Sequence, residues 1–503
     1  MSGFDSLGLR NRRSVPWASV PLETESGFRE AVLAAVRDGW RLASFFGMPE
    51  GHDDTRLVAV MAHDTSGSLG ATTMVVGDAF HSLTPECPAA HLFEREIAEQ
   101  CGVAPRGHPW LKPLRRHPPD HLPPGRAPVE MDREAYPFFR IRGEEVHEVG
   151  VGPVHAGIIE PGHFRLQAHG EEVLFLEIML GYQHRGVERL LETAAADRAV
   201  LVAESIAGDT VIGHAAAYCG AIEALARSRK TPRAQAIRGI ALELERLANH
   251  IGDLGAIAGD VAFQPGASYF GRMRGECLNL LMTISGNRYG RGLLRPGGVL
   301  FDIPTAMVSE ARQRLETLRA ELEPAARLML ESPSVLSRLE GVGGVPREKC
   351  LELGFVGVVA RACDVPRDVR HDHPYGIYRF AHIPVATAWA GDVLARALVR
   401  WLEIRRSLEF VLEQLSALPA GAARVACGAL QPSELVVAME EAWRGEIVHV
   451  AITDGHGGIR RYKVTDPSFH NWTAVALALP GNQISDFPLC NKSFNLSYAG
   501  HDL

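Results

Sequence analysis

The sequence predicts an α+β protein in two parts: a small N-terminal α+β domain, then a larger, mainly α-helical domain with small β-sheets. Three observations carry that prediction. A stiff Pro- and charge-rich stretch, RRHPPDHLPPGRAPVEMD, interrupts the 503-residue chain. Before it, strand-like runs follow a helical one; after it, long segments repeat apolar residues at helical spacing. Hydrophobic content of 46% with 22% charge is ordinary for globular protein, so each part can bury a core. The expected divisions are 1–114, a linker at 115–132, and 133–503.

In the first part, Phe28 to Ala43 reads as a helix, with Ala31, Val32, Ala35, Val36 and Leu42 on its apolar face. RLVAVMAHD and ATTMVVGD read as strands joined by a GSLG turn, and a second helix is expected from about Ala90 to Gln100. The second part opens with strands, EEVHEVGVG and HFRLQAHGEEVLFLEIML, the latter folded at HGEE. Helices are expected over roughly 186–229, 233–262, 266–290, 305–332 and 388–416. Short strands at 446–452 and 459–464 flank the turn DGHGG, and the C-terminal tail reads as irregular.

The bulk numbers exclude several classes. A net charge of −8 argues against a general nucleic-acid binder, and no run of eighteen apolar residues would span a membrane. The N-terminus lacks the apolar core of a signal peptide, so a cytoplasmic protein is expected. Eight scattered cysteines with no CxxC read as small buried hydrophobes, neither a disulfide framework nor a thiolate cluster. GxGG and GHGG stretches are turns without a P-loop or Rossmann context, so no nucleotide is expected on this chain.

Candidate chemistry concentrates between Gly152 and Cys219. GPVHAGIIEPGHFR places His155 and His163 around a Gly/Pro turn, and the following segments set Arg185, Glu188, Asp209 and His214 among small residues. Ionisable groups among Ala and Gly suit a buried polar site. A second block, VARACDVPRDVRHDHPY, carries Arg361, Asp368, Arg370 and His373. The stripe Glu243, Arg246, Asn249 and His250 fits core hydrogen bonding, and His371–Asp372–His373 is a weak metal pattern.

These motifs carry a resemblance over nearly the whole chain. SLTPECPAAHLFEREIAEQCGVAPRGHPWLK resembles the small 30-kDa-type subunit of respiratory complex I. GPVHAGIIEPGHFR, GYQHRGVERLLE, NRYGRGLLRPGGV and GVVARACDVPRDVRHDHPYGIY resemble its 49-kDa-type partner, and still more closely the large subunits of group 4 [NiFe] hydrogenases, formate hydrogenlyase included. The resemblance implies a hydrogenase-large-subunit-like second domain in a peripheral subunit on the cytoplasmic side of the inner membrane. Its implied partners are a small subunit carrying an iron–sulfur cluster and antiporter-like membrane subunits, with any NADH oxidation in another subunit.

One departure decides the expected chemistry. The hydrogenases hold nickel and iron with four thiolates, which suit low-valent metals. Here Ala207, Thr210, Ser497 and Gly500 stand at those positions. No metal and no hydrogenase activity are therefore expected. What remains is an electron-transfer and proton-coupling role, or a non-catalytic role in assembly. By the resemblance, His155, His163, Arg185, Glu188, Asp209 and His214 would line the reactive cavity, with Arg361, Asp368 and Arg370 beside it. Quinone is the implied acceptor, although the tyrosine that complex I subunits offer it aligns with Leu201. Asp209 would either fill the vacated pocket or pair with Arg361 or Arg370; Glu188 would be a proton-path carboxylate or the partner of Arg185.

Overall fold

A computed structural model describes residues 4, 7–51, 53–115, 117, 122, 126–131, 136–155 and 159–503. The expected 115–132 linker thus lies partly outside the described residues. The architecture is α+β throughout, with several small sheets packed on helices.

The N-terminal sheet has the strand order Leu22–Glu23, Ser68–Val76, Asp54–His63, Arg41–Glu50. Its three long strands are antiparallel, and Leu22–Glu23 runs parallel to Ser68–Val76. The expected helix stops early. Helix Glu25–Arg37 is opened by Thr24, whose hydroxyl accepts from Gly27 N, while Arg41–Glu50 is a strand. Leu42, Ala43, Phe45, Phe46 and Met48 are all buried because both faces of this strand are covered, so no alternation distinguishes it from a helix. One face packs Phe45 and Leu57 against Phe28 and Phe93 of the two helices. The other presents Ala43, Phe46, Val58 and Val60 to the core of the larger part.

The larger part is built on the helix Pro232–Asp260, which lies against Gln264–Ser285 and Val393–Ser416. Local rules are obeyed at their starts: Thr231 and Asp392 cap with their side chains, and Pro232 takes the first helical position. A second antiparallel sheet, in the order Val15–Pro16, Glu434–Glu441, Glu446–Thr453, Ile459–Thr465, is covered by helix Val211–Leu225. Its first strand comes from the N-terminus. Arg41 ties the two sheets together, donating to both oxygens of Glu446. A third sheet is the meander Val146–Val151, His163–His169, Glu172–Met179.

Two further expectations are corrected. The region expected as one helix from 186 to 229 is three, Val187–Thr193, Ala196–Ala203 and Val211–Leu225, and residues 204–210 form a loop between the last two. The C-terminal tail is not irregular: helices Phe487–Phe494 and Tyr498–His501 are separated by Asn495 at φ 46°, in the left-handed region that ends a helix. The cysteines are free, and all but the partly exposed Cys427 are buried. Among the described residues no helix is long and apolar enough to cross a membrane.

Candidate functional site

The loop 204–210 and the turn before Tyr498–His501 meet at a cavity of about 570 Å³, lined by Glu160, Asp209, Arg288, Tyr289, Arg291 and Ser497 among others. Arg185 shapes the loop from behind, donating to the carbonyls of Ser205 (2.8 Å) and Ile206 (2.9 Å). Asp209 does not pair with Arg361 or Arg370. Its carboxylate takes both guanidinium nitrogens of Arg444, at 2.5 and 2.8 Å. Burial alone would raise this carboxyl, but the Arg444 charge together with the hydrogen bonds from Arg444 and Thr210 holds it below the usual range. Arg444 reaches the loop because Gly357 lets the Arg444–Gly445 backbone pass: a Cβ at Gly357 would stand 2.0 Å from the Arg444 carbonyl.

Behind the cavity runs a buried line of polar groups. His214 Nε2 lies 3.0 Å from Asp466 Oδ2, His214 Nδ1 lies 3.2 Å from His449 Nε2, and His449 Nδ1 lies 2.8 Å from the Tyr462 hydroxyl. One set of tautomers satisfies every contact. Tyr462 donates to His449 Nδ1, His449 Nε2–H donates to His214 Nδ1, and His214 Nε2–H donates to Asp466. Burial would raise Asp466, yet its hydrogen bond with His214 and the nearby Arg444 charge hold it low. Burial pushes His449 well down, and burial pushes the Tyr462 phenol well up. His449 is thus neutral, and Tyr462 keeps its proton.

The fit of a nickel–iron group is decided by donors and space. Ala207 and Gly500 offer no ligand atom, and the Thr210 hydroxyl accepts from Arg444 at 3.0 Å. The Ser497 hydroxyl is committed to Gly500 N at 2.9 Å. A Cβ at Gly500 would meet the Asp466 carboxylate at 2.6–2.8 Å. These residues do not fit the thiolate-held group. Gly500→Ala is accordingly expected to cost about 1–3 kcal/mol, the usual penalty of overpacking, read as a lowered denaturation midpoint. An unchanged midpoint would show that Asp466 moves freely.

The remaining predicted residues fall in three places. His155 Nε2 donates to Gly162 O (2.9 Å) and His163 Nδ1 to Gly152 O (3.2 Å), so both histidines brace their own loop, of which 156–158 lie outside the described residues. That loop sends Glu160 to the cavity instead. Glu188 is buried but does not pair with Arg185. It accepts from Lys463 (2.8 Å) and Arg461 (3.0 Å). Burial would raise its carboxyl, but Lys463, Arg461 and Arg115 push it down to about 2, so it is an ionised strut. Leu201 is half-exposed and does not line the cavity.

Arg361, Asp368 and Arg370 form one buried network, away from the cavity wall. Arg361 bonds Glu403 (2.8 Å) and Glu441 (2.7 Å), and Arg370 grips Asp368 (3.0 and 2.6 Å) and reaches Glu243 (3.1 Å). Arg246 and His250 complete it through Glu243 and Glu403. The network serves the cavity indirectly. Arg246 holds the carbonyls of Glu441 (2.6 Å) and Ala442 (3.0 Å), the strand end from which Arg444 projects.

Sequence reading missed Glu160, Arg444, His449 and Asp466. Asp466-Pro467-Ser468 is a helix-start signature, since Asp466 accepts from Ser468 N, and that signal conceals its bond to His214. For Arg444 and His449 no local signal points to the site, because the bonds that bring them to it, to Asp209 and His214, each span 235 residues.

Comparison with known proteins assigns the architecture. The model of the respiratory-chain NADH dehydrogenase 49 Kd subunit matches residues 260–428 and 423–502, and that of the 30 Kd subunit matches 30–138. Formate hydrogenlyase subunit 5 of Escherichia coli (strain K12) is 30% identical over 92% of this chain and 85% of its own length. The chain belongs to the complex I 49-kDa subunit family, with a 30-kDa-type domain fused ahead of it. Two further members of this family are Hydrogenase-4 component G of E. coli (strain K12), 29% identical over 92% of this chain and 84% of its own length, and NADH-quinone oxidoreductase subunit 4 of Thermus thermophilus, 31% identical over 68% and 90%. Relatives in this family are subunits of membrane-bound hydrogenases and complex I-like oxidoreductases, which supports a subunit role for this chain.

Proposed function

We propose that this chain is the peripheral electron-transfer and proton-coupling subunit of a hydrogenase-like or complex I-like membrane complex, working without a nickel–iron centre. One observation carries the reading: Arg444, anchored by Asp209, takes the Thr210 hydroxyl, and Asp466, at the end of the His214–His449–Tyr462 line, fills the space a Cβ at Gly500 would need. The line fixes the His214 proton on Nε2 against Asp466, so this pair is a defined place to hold a proton beside the cavity. Orienting an imidazole through its second nitrogen is a general device for proton handling. Electrons would reach the complex through a partner's iron–sulfur cluster, on the cytoplasmic side of the membrane. Quinone is the less supported ligand here. Among the described residues lining the cavity, Tyr289 is the one aromatic and four of the other seven are charged, whereas a quinone ring needs apolar walls.

The test is made on the purified complex. Elemental analysis is expected to find nickel far below one per complex, with no hydrogen evolution. Asp209→Ala is expected to keep electron transfer while coupled ion translocation falls several-fold, because Arg444 loses its anchor. Stoichiometric nickel with hydrogen evolution would overturn the proposal. Quinone-dependent turnover that drops in both His155→Ala and His163→Ala would favour a quinone acceptor. Disassembly of the Asp209→Ala complex would favour the assembly role.

A further inference from the structure

A second, larger cleft lies elsewhere. It measures about 1180 Å³ and is walled by the N-terminal segment 10–13, the 64–67 turn and the segment 365–385. Its charge is lopsided. Six Lys and Arg side chains line it against two carboxylates, Asp64 and Asp372, in a chain whose net charge is −8. Two of the arginines are spoken for: Arg12 by Glu440, and Arg367 by Asp64 at 3.1 Å. Arg10 donates to Ser66 O (2.9 Å) and Ser68 Oγ (2.7 Å), neither of them an anion. Arg13 and Arg379 are exposed and, among the described residues, have no carboxylate within 4.0 Å. Among the described residues the one carboxylate paired with Lys230 is Glu223, at 3.8 Å.

We infer that this cleft binds a ligand carrying two or more phosphate groups, held by Arg10, Arg13, Lys230 and Arg379. Uncompensated cations gathered in one concave surface focus a positive field and lose free energy by mutual repulsion, which a multivalent anion relieves. The Lys230 amine reports that repulsion: burial, then the Arg12, Arg238 and Arg379 cations, push it down to about 8 despite Glu223. Arginine forks and a lysine point charge together are the side chains that recognise phosphate oxygens. The volume exceeds that of a single phosphate, and Gln235 on the wall offers a polar contact for the remainder of such a ligand. The cleft is separate from the Asp209 cavity, sharing none of its lining residues.

Tripolyphosphate titrated into the full chain at low salt, followed by calorimetry, tests the inference. Micromolar binding is expected, weakening as salt rises. The Arg13→Ala/Arg379→Ala double variant should bind at least about tenfold more weakly, as expected when charge-assisted contacts are lost. Arg312→Ala, on a distant helix, should bind like the parent. Flotation with anionic phospholipid vesicles separates the sources: vesicle binding lost in the same double variant assigns a lipid headgroup, and tripolyphosphate binding without flotation assigns a free phosphate ligand. No binding of either probe, or equal binding by parent and double variant with unchanged thermal midpoints, would overturn the inference.

Discussion

Arg361→Met is expected to destabilise the protein by about 3–5 kcal/mol, the cost of removing one partner from a buried ion network. Arg361 is completely buried, and its guanidinium faces Glu403, Glu441 and Asp368. Three arginines, 246, 361 and 370, balance four carboxylates, Glu243, Asp368, Glu403 and Glu441. Burial raises Glu441 to about 7 against the pull of Arg361, so near neutrality it takes up the proton that evens the count. Without Arg361 at least two carboxylates lose their only close cation or one of two. The urea midpoint of the variant, followed by far-UV circular dichroism, should fall accordingly. A loss below about 1 kcal/mol would mean that water enters and screens the network, as at an exposed pair. Because Arg246 also holds the strand end carrying Arg444, the variant should weaken the Asp209 anchor as well.

The fold was largely legible where periodicity and caps agree. Helices Pro232–Asp260 and Val393–Ser416 declare themselves by spacing, by Thr231 and Asp392, and by Pro232. Arg41–Glu50 was not legible, since a strand covered on both faces loses its alternation. The break at 204–210 was hidden by small residues that suit a helix as well as a loop. For the site, sequence could say which thiolates are missing, because that depends on residue identity alone. It could not say what stands in their place. Asp466 and Arg444 reach the loop only through the packing of the second sheet against helix Val211–Leu225. Nor could composition separate Glu188, tied down by Lys463 and Arg461, from a carboxylate free to carry protons.

A carboxylate that does hold its proton near neutral pH is Glu245, and its titration should contribute strongly to the pH dependence of stability above pH 5. Helix Val211–Leu225 begins at Thr210, whose side chain makes no cap because its hydroxyl serves Arg444. The orphan donors of the first turn are taken by Glu245 instead, from Ile212 N at 2.7 Å and Gly213 N at 3.1 Å. Burial raises this carboxyl to about 8, with Asp209 adding to the effect, and the two backbone hydrogen bonds only partly oppose it. In the unfolded chain the group ionises near 4.5. Between those values the native state binds the proton and the unfolded state does not, so stability falls as pH rises through that window. At about 1.4 kcal/mol per unit, the fall from pH 5 to pH 8 is on the order of 3–4 kcal/mol. Glu245→Gln cannot ionise, so its profile should be flatter by that amount. At pH 5 it should be less stable than the parent by roughly 1 kcal/mol, because its amide nitrogen cannot accept from one of the two backbone donors. At pH 8 the order should reverse. Parallel profiles for the two proteins would show that Glu245 is ionised throughout, and that the start of the helix beside Asp209 is held by charge and not by a neutral acid.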